Sequence, residues 1–487
     1  MVCAGNSILF PIAFLGTLCA GGIFTGVNPA STVGEIAYQM RLSEAKIIIT
    51  DTKRLSSVLK AANDVGLPST AIYLFDHGKE PIAQQPHMTF ADLTKHGELD
   101  WHNIYADDAP NRTAVLNFSS GTTGLPKGCM VSHGNLVANC VQVMVADDAA
   151  NSRNRKVDNT DDVHCAYVPL YHAMGLVSFC VVNIKRRCST VVMSEFSLQA
   201  LLDVIRRFRV TFLLLVPPVA VQLIKSAELS DSDLSSIKLV LCGAAPLGKE
   251  TSEQLETIFY PNVVRARQGW GMSEATCTVT LFARDEYDPT CAGVGYLAAN
   301  MEAKIVGDDG KELGYGEKGE ALLRGPNIFQ GYWKNDAASK EAWTEDGWLK
   351  TGDYVVVEKN GMFAVVDRKK ELIKVKGYQV APSELESHLL ESDDVKDCAV
   401  IRVIRQAQAL IRTLEGREYP QGHIVPSRGG VMAQTIMDFM AKKLSPHKQL
   451  TGGIVFTNAI PKSPSGKILR RLIKDPFEKS SIRQHKL

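Results

Sequence analysis

The sequence carries almost no excess of charge of either sign: 54 Lys and Arg face 53 Asp and Glu, a net of +1. That balance removes the electrostatic reason to expect nucleic acid or an anionic membrane surface as a partner. Among its 11 cysteines no two form a C-x-x-C pair. The usual structural-zinc spacing is thereby excluded, and the pattern fits reduced thiols inside a cell. No basic residue precedes Arg41, so the apolar run 8–27 has no charged leader and does not read as a signal peptide. Pro11, glycines and threonines interrupt that run. It predicts a buried helix, then a buried strand ending near Asn28-Pro29, rather than a membrane span. Internal repeats and long low-complexity segments are also lacking.

What is present is size and alternation. A chain of 487 residues exceeds one ordinary core, and a 45% apolar share describes a soluble globular enzyme of two or more domains. Apolar runs such as Ala45–Thr50, Thr113–Phe118, Val210–Val216 and Leu239–Cys242 alternate with helical patterns such as Leu198–Phe208. This predicts α/β layers over residues 8–300. From about 301 the texture turns to short strands and Gly-rich turns, predicting a β-rich subdomain over about 301–369. The charged stretch Asp367-Arg368-Lys369-Lys370 marks the expected boundary between a large domain, 1–369, and a small mixed α+β domain, 370–487.

Two glycine patterns mimic a dinucleotide site: Gly314-Tyr-Gly-Glu-Lys-Gly319 and Gly293-Val-Gly-Tyr-Leu-Ala298. Both lead into strand-like segments, whereas a dinucleotide site needs its glycines between a strand and a helix. Both therefore read as turns.

The informative run is Ser119-Ser-Gly-Thr-Thr-Gly-Leu-Pro-Lys127-Gly128. Its glycines allow a sharp turn and close approach of backbone to a ligand. Its N–H groups and hydroxyls can cradle an anion, and Lys127 adds a point charge. This is a phosphate site, but G-x-x-x-x-G-K-[ST] cannot be fitted to it. It follows an apolar run, and loops at strand ends are where α/β sheets bind ligands.

Five further pieces follow in order: Pro169-Leu-Tyr-His172-Ala-Met-Gly175, Leu241-Cys-Gly243-Ala244-Ala245-Pro246, Gln268-Gly269-Trp270-Gly271-Met272-Ser273-Glu274, Thr351-Gly352-Asp353 with Asp367-Arg368-Lys369-Lys370, and Leu372–Glu384. Pro461-Lys-Ser-Pro-Ser465-Gly466-Lys467 closes the series. Small residues at 243–245 leave room for a planar base against the backbone. Trp270, between two glycines, offers an aromatic face with little steric cover, suited to stacking on adenine. An acid such as Asp353 can accept both hydroxyls of a ribose.

Together these motifs resemble those of the adenylate-forming superfamily of acyl-CoA synthetases, adenylation domains and luciferases. The likeness covers roughly residues 5–475 and is nearest the 4-coumarate–CoA ligase-like group. It implies the fold of that family, a large layered α/β domain with a β-rich subdomain and a small mobile C-terminal domain. It implies ATP and CoA as co-substrates, Mg²⁺ as cofactor and a carboxylic acid as substrate. By the resemblance, Ser119, Ser120, Gly121, Thr122, Thr123, Gly124 and Lys127 hold phosphates. Gly243, Ala244, Ala245, Gln268, Gly269, Trp270, Gly271, Met272, Ser273, Asp353 and Arg368 hold adenine and ribose. Glu274 binds Mg²⁺, and His172 lines the acyl tunnel and helps seat the carboxylate. Met174, Ser178, Cys277 and Thr278 line the acyl pocket. Lys370 is the hinge, Lys374 and Gln379 support catalysis, Lys376 and Gly377 meet CoA, and Lys467 reaches the scissile phosphate.

The implied function is an acid–thiol ligase for an aryl, arylpropenoic or medium-chain acid. Met174 stands where plant 4-coumarate ligases carry Tyr, which counts against a hydroxycinnamate. A carrier-protein adenylation enzyme shares the motifs, although no Asp-Ser phosphopantetheine site follows residue 475. A luciferase-type oxygenase, or a truncated, non-catalytic nucleotide-binding homologue, would carry the same motifs. Two departures stand out. The chain begins late relative to the family, which is expected to leave a sheet edge or core face uncovered. The stretch Val403–Tyr419 reads as a local insertion. The tail His485-Lys486-Leu487 is similar to the Ser-Lys-Leu peroxisomal address, giving a peroxisomal or cytoplasmic location.

Overall fold

The computed structural model describes residues 1–75, 125–152, 161–226, 233–375, 378–405, 417–463 and 466–473, with Pro261 excepted, together with most of 88–119 and with Leu229. Ser120, Gly121, Thr122, Thr123, Gly124, Lys376, Gly377, Ser465 and the C-terminal tripeptide lie outside the described residues, as do 406–416.

A five-stranded parallel sheet carries the site. Its strands lie in the order Ala266–Gln268, Leu239–Cys242, Phe212–Leu215, Val163–Ala166, Ser189–Val192. These are short apolar runs, as expected of strands covered on both faces. The connecting helix Leu198–Phe208 begins where Ser197 accepts a hydrogen bond from Ala200 N at 3.2 Å and buries Leu201, Leu202 and Ile205 on one face. Each such side chain contributes about 1.5–3 kcal/mol through burial. It ends at Arg209, in the left-handed region at φ 52°.

A second parallel sheet joins Val2–Cys3, Ile48–Thr50, Ile72–Leu74 and Met88–Thr89. A third contains Phe24–Thr25 beside the antiparallel pair Thr113–Ser119 and Lys127–Ser132. Ser119 is the register partner of Lys127, so the two ends of the phosphate run face each other across the hairpin base. A four-stranded antiparallel sheet spans Glu302–Val306, Lys318–Arg324, Leu349–Val357 and Phe363–Arg368. Beyond Lys370 come the hairpin Ile373–Val375 and Tyr378–Val380, then a three-stranded sheet of Val395–Arg405, Arg417–Pro426 and Ile454–Phe456 with the helices Pro382–Leu390 and Ala433–Lys443. Both decoy glycine patterns lead into strands, Tyr296–Leu297 and Lys318–Arg324.

One sequence expectation is corrected. The run 8–27 forms a helix, Phe10–Cys19, and a two-residue strand, Phe24–Thr25, but the helix is only half buried. Phe10, Ala13 and Phe14 face inward, while Ile12 and Leu15 are exposed. A helix apolar all round carries no pattern that tells its two faces apart.

Candidate active site

The motifs converge at the carboxyl ends of the parallel strands. There a cavity of about 570 Å³ is bounded by Ser119, Lys127, His172, Glu274, Arg368 and Lys467. Met174, Ser178, Gly243, Ala244, Gly269–Ser273, Cys277, Thr278, Asp353 and Lys370 complete the match to the expected set. Close backbone packing sets this geometry. Gly243 N donates to Leu215 O and Gly269 N to Cys242 O, each at 3.1 Å. A Cβ on Gly271 would stand 1.7 Å from Cys277 O, and one on Gly175 would stand 2.2 Å from Pro169 O. Ala244 is held at φ 74°, an uncommon conformation for a residue with a Cβ.

At the end of the cavity lined by Ser119 and Lys127, Lys127 Nζ lies 4.9 Å from the centre of the Tyr332 ring, and the Tyr332 hydroxyl donates to Glu274 Oε1 at 2.9 Å. Burial, and then the Glu274 charge, hold that hydroxyl far above its ordinary pKa, so it remains a donor. A carboxylate offers about four acceptor positions, and this contact uses one. Glu274 therefore retains oxygens for a cation, and Mg²⁺ needs only one or two protein carboxylates beside phosphate oxygens and water. The residues fit that ion. Sequence reasoning misses Tyr332, which belongs to no motif; only its place in Gly331-Tyr-Trp hints at a turn.

Elsewhere on the lining, Trp270 Nε1 donates to Asp353 Oδ2 at 2.8 Å, and Arg368 Nε lies 3.7 Å from Asp353 Oδ1. Burial raises the Asp353 pKa, against the pull of Arg368 and the indole. Trp270 corrects an expectation. It is 7% exposed rather than openly presented, and Phe363 stacks beside it with centroids 6.3 Å apart at 25°. Gln268 lines the second cavity described below. Its Oε1 accepts from Leu247 N at 2.8 Å while Nε2 donates to Leu247 O and Cys291 O. These three bonds brace the 243–247 turn, so the side chain is committed to the loop.

Lys467 lines the same cavity. Burial, and next the Arg368 charge, lower its ammonium to about 8, while Glu371, Asp353 and Glu274 act in the opposite direction. His172 is drawn down to about 4 by burial and then by Lys467, so its imidazole is neutral near pH 7. Arg470, three residues beyond Lys467, donates from Nη2 to both Glu386 oxygens at 2.7 and 2.8 Å and from Nη1 to Glu371 Oε2 at 2.5 Å.

A second cavity of about 510 Å³ separates the central sheet from the C-terminal segment and is bounded by Pro218, Ala245, Gln268, Ser383, Lys462 and Gly466. It shares Ala244, Trp270, Asp353, Arg368 and Lys467 with the first. Lys374 and Gln379 line neither cavity. They are cross-strand partners in the hairpin 373–380, where Gln379 Nε2 donates to Asp308 at 3.1 Å and Lys374 N donates to Glu418 at 2.6 Å. In this arrangement Lys467 lines the cavity and Lys374 and Gln379 do not.

The chain is similar to known proteins. The family model described as AMP-binding enzyme matches residues 1–333, and that of the AMP-binding enzyme C-terminal domain matches 384–467. A putative acyl-coenzyme A synthetase of Emericella nidulans is 35% identical over 100% of this chain and 86% of its own. The 4-coumarate–CoA ligase 1 of Arabidopsis thaliana is 34% identical, over 97% of this chain and 82% of its own. The anthranilate CoA ligase AuaEII, solved with anthranoyl-AMP, superposes with a TM-score of 0.82 over 100% of this chain and 88% of its own. At 23% identity that likeness establishes the fold alone.

Proposed function

The chain belongs to the family of AMP-binding enzymes, and on that premise we propose that it is an ATP-dependent acid–thiol ligase. A free carboxylate is a poor acyl donor. In the first step the carboxylate oxygen attacks the α-phosphorus of ATP, the bond to the bridging oxygen breaks, and pyrophosphate leaves. In the second a thiol, that of CoA, attacks the acyl carbon and AMP leaves. The protein's part is positioning and charge neutralisation.

Lys127 and the loop Ser119–Gly124 hold the β- and γ-phosphates, Trp270 and the 243–245 turn hold adenine, and Asp353 with Arg368 holds ribose. Lys467 neutralises charge at the scissile phosphate, and neutral His172 orients the carboxylate. Mg²⁺, held by Glu274, supplies charge neutralisation of the phosphates. The observation that carries this reading is the convergence of Lys127, Glu274, His172 and Lys467 on one cavity from four distant parts of the chain. The domain boundary belongs at 369/370, with Lys370 as hinge. Rotation there withdraws Lys467 and brings in the hairpin of Lys374, Lys376, Gly377 and Gln379 for the thiol step.

The test is a panel of aryl, arylpropenoic and medium-chain acids assayed for pyrophosphate release, with and without CoA. We expect pyrophosphate and AMP with at least one acid, and its CoA ester when CoA is added. Stabilisation by ATP with no pyrophosphate exchange for any acid would instead establish a non-catalytic nucleotide binder.

A further inference from the structure

Gly248 immediately precedes the helix Lys249–Thr257. Its φ of −63° and ψ of 154° are open to any residue, so its own backbone does not call for glycine. Space does. The three atoms nearest to a Cβ built there all belong to Ser387: Cβ at 3.0 Å, Oγ at 3.1 Å and Cα at 3.8 Å. Carbon atoms rest at about 3.5–4.0 Å from one another, so the first of these contacts is a clash. Ser387 lies in the helix Pro382–Leu390, beyond the proposed hinge. The side chain missing at 248 therefore makes room for the C-terminal segment.

Two further contacts hold that segment from the same side. Lys225 follows the helix Pro217–Ile224, which packs beside Lys249–Thr257. Its Nζ donates to Val395 O at 2.9 Å and to Leu390 O at 3.4 Å. These carbonyls flank the turn that leaves the Ser387 helix, where the helix dipole is negative. Burial lowers the Lys225 ammonium, while Asp393 of that turn, then Cys398 and Asp397, act in the opposite direction. At the other end of the Lys225 helix, Pro218 Cδ would stand 3.2 Å from a Cβ on Gly466, which is held at φ 82° immediately before Lys467. Pro218 and Lys225 are about 10 Å apart along the helix axis. One helix and the residue Gly248 thus meet the Ser387 helix, the turn after it and the loop that carries Lys467.

We infer that Gly248 is a positioning residue: its missing side chain is the clearance that lets the C-terminal segment seat with Lys467 in the cavity, and Lys225 anchors that seat. The inference rests on the ligase reading above, in which this segment takes two positions. A side chain at 248 bears on the seated position only. Adenylation then falls because Lys467 is withheld, while the thiol step, run from the other position, is spared.

The test is Gly248→Asn. Asparagine is a better N-cap than glycine, so the melting temperature should hold or rise. Pyrophosphate release is expected to fall about fivefold or more, the effect of an overpacked contact on one of two positions, with thiolation of supplied acyl-AMP unchanged. Ser387→Gly removes both close atoms and should restore release in the double variant. Lys225→Met keeps the stem and removes the charge. Its side chain is exposed, so it should give the same split at only about two- to fivefold, and it stands in if Gly248→Asn fails to fold. Hydrogen exchange over residues 217–225 in the presence of ATP reads the seat without chemistry. It should quicken in Gly248→Asn and slow again in the double variant. Unchanged exchange and release in Gly248→Asn, equal losses in the two half-reactions, or no recovery with Ser387→Gly overturns the inference. The expected exchange pattern with no pyrophosphate from any acid refutes the ligase reading alone.

Discussion

Trp270 and Asp353, 83 residues apart, are joined by an indole N–H bond of 2.8 Å inside the nucleotide end of the cavity. The bond fixes both the ring and the carboxylate before a ligand arrives. Trp270→Phe keeps an aromatic ring and removes the donor. Loss of a hydrogen bond to a charged group is worth about 1.5–3 kcal/mol. The expected outcome is a KM for ATP raised about tenfold or more, accompanied by a lower melting temperature of the ligand-free protein. Steady-state kinetics at saturating acid check it; an unaltered KM refutes the pairing as a nucleotide-binding device.

Lys467 lines the first cavity while Lys374 and Gln379 line neither. Lys467→Ala is expected to lower adenylation by about two to three orders of magnitude, as loss of one preorganised charge donor does. Thiolation of supplied acyl-AMP should be spared. Gln379→Ala should do the reverse. Equal losses in both half-reactions would contradict a two-position mechanism.

The adenylation step should have an alkaline limb. Lys467 is lowered to about 8, so its ammonium is present below that value and lost above it. The rate is therefore expected to fall about tenfold per pH unit above 8. His172, at about 4, is neutral throughout and adds no limb between pH 5 and 8. In Lys467→Arg, which stays charged, the alkaline limb should vanish from the pH profile of pyrophosphate release.

Arg470 Nη2 is shared between the two oxygens of Glu386, a carboxyl whose burial lifts it to about 7 despite that partner. Arg470→Ala leaves Glu386 buried and unpaired. Removing one partner of such a pair costs about 3 kcal/mol or more. The expected result is a lower melting temperature together with an adenylation defect like that of Lys467→Ala, because the segment carrying Lys467 loses its anchor. Double substitution with Glu386→Gln should restore part of the stability and none of the rate.

Much of the site is legible in the sequence because its parts are short and ordered along the chain. Glycines at 175 and 271 mark points where no Cβ fits, and Gly-rich motifs announce such points. What a side chain does once it arrives is less legible. The side-chain bonds of Gln268 to Leu247 and Cys291, which brace a turn, cannot be read from the sequence, because those partners are local only in space. Trp270 looks open because its sequence neighbours are small, yet Phe363 covers it from another sheet. The Arg186–Asp147 and Arg284–Asp162 pairs leave no trace in the motifs. Isolated charges read as solvated, and only the four-residue spacing of Met174, Ser178, Val182 and Arg186, all on the cavity wall, points inward.

Lys467 belongs to the walls of both cavities. Under the two-position mechanism proposed above, its withdrawal would alter both chambers at once, and reaction order would become a matter of mechanical interlock. One ammonium would then serve as latch for the anhydride-forming chamber and as doorpost for its neighbour, so that the motion admitting a thiol would also dismantle the machinery for running the first step backward.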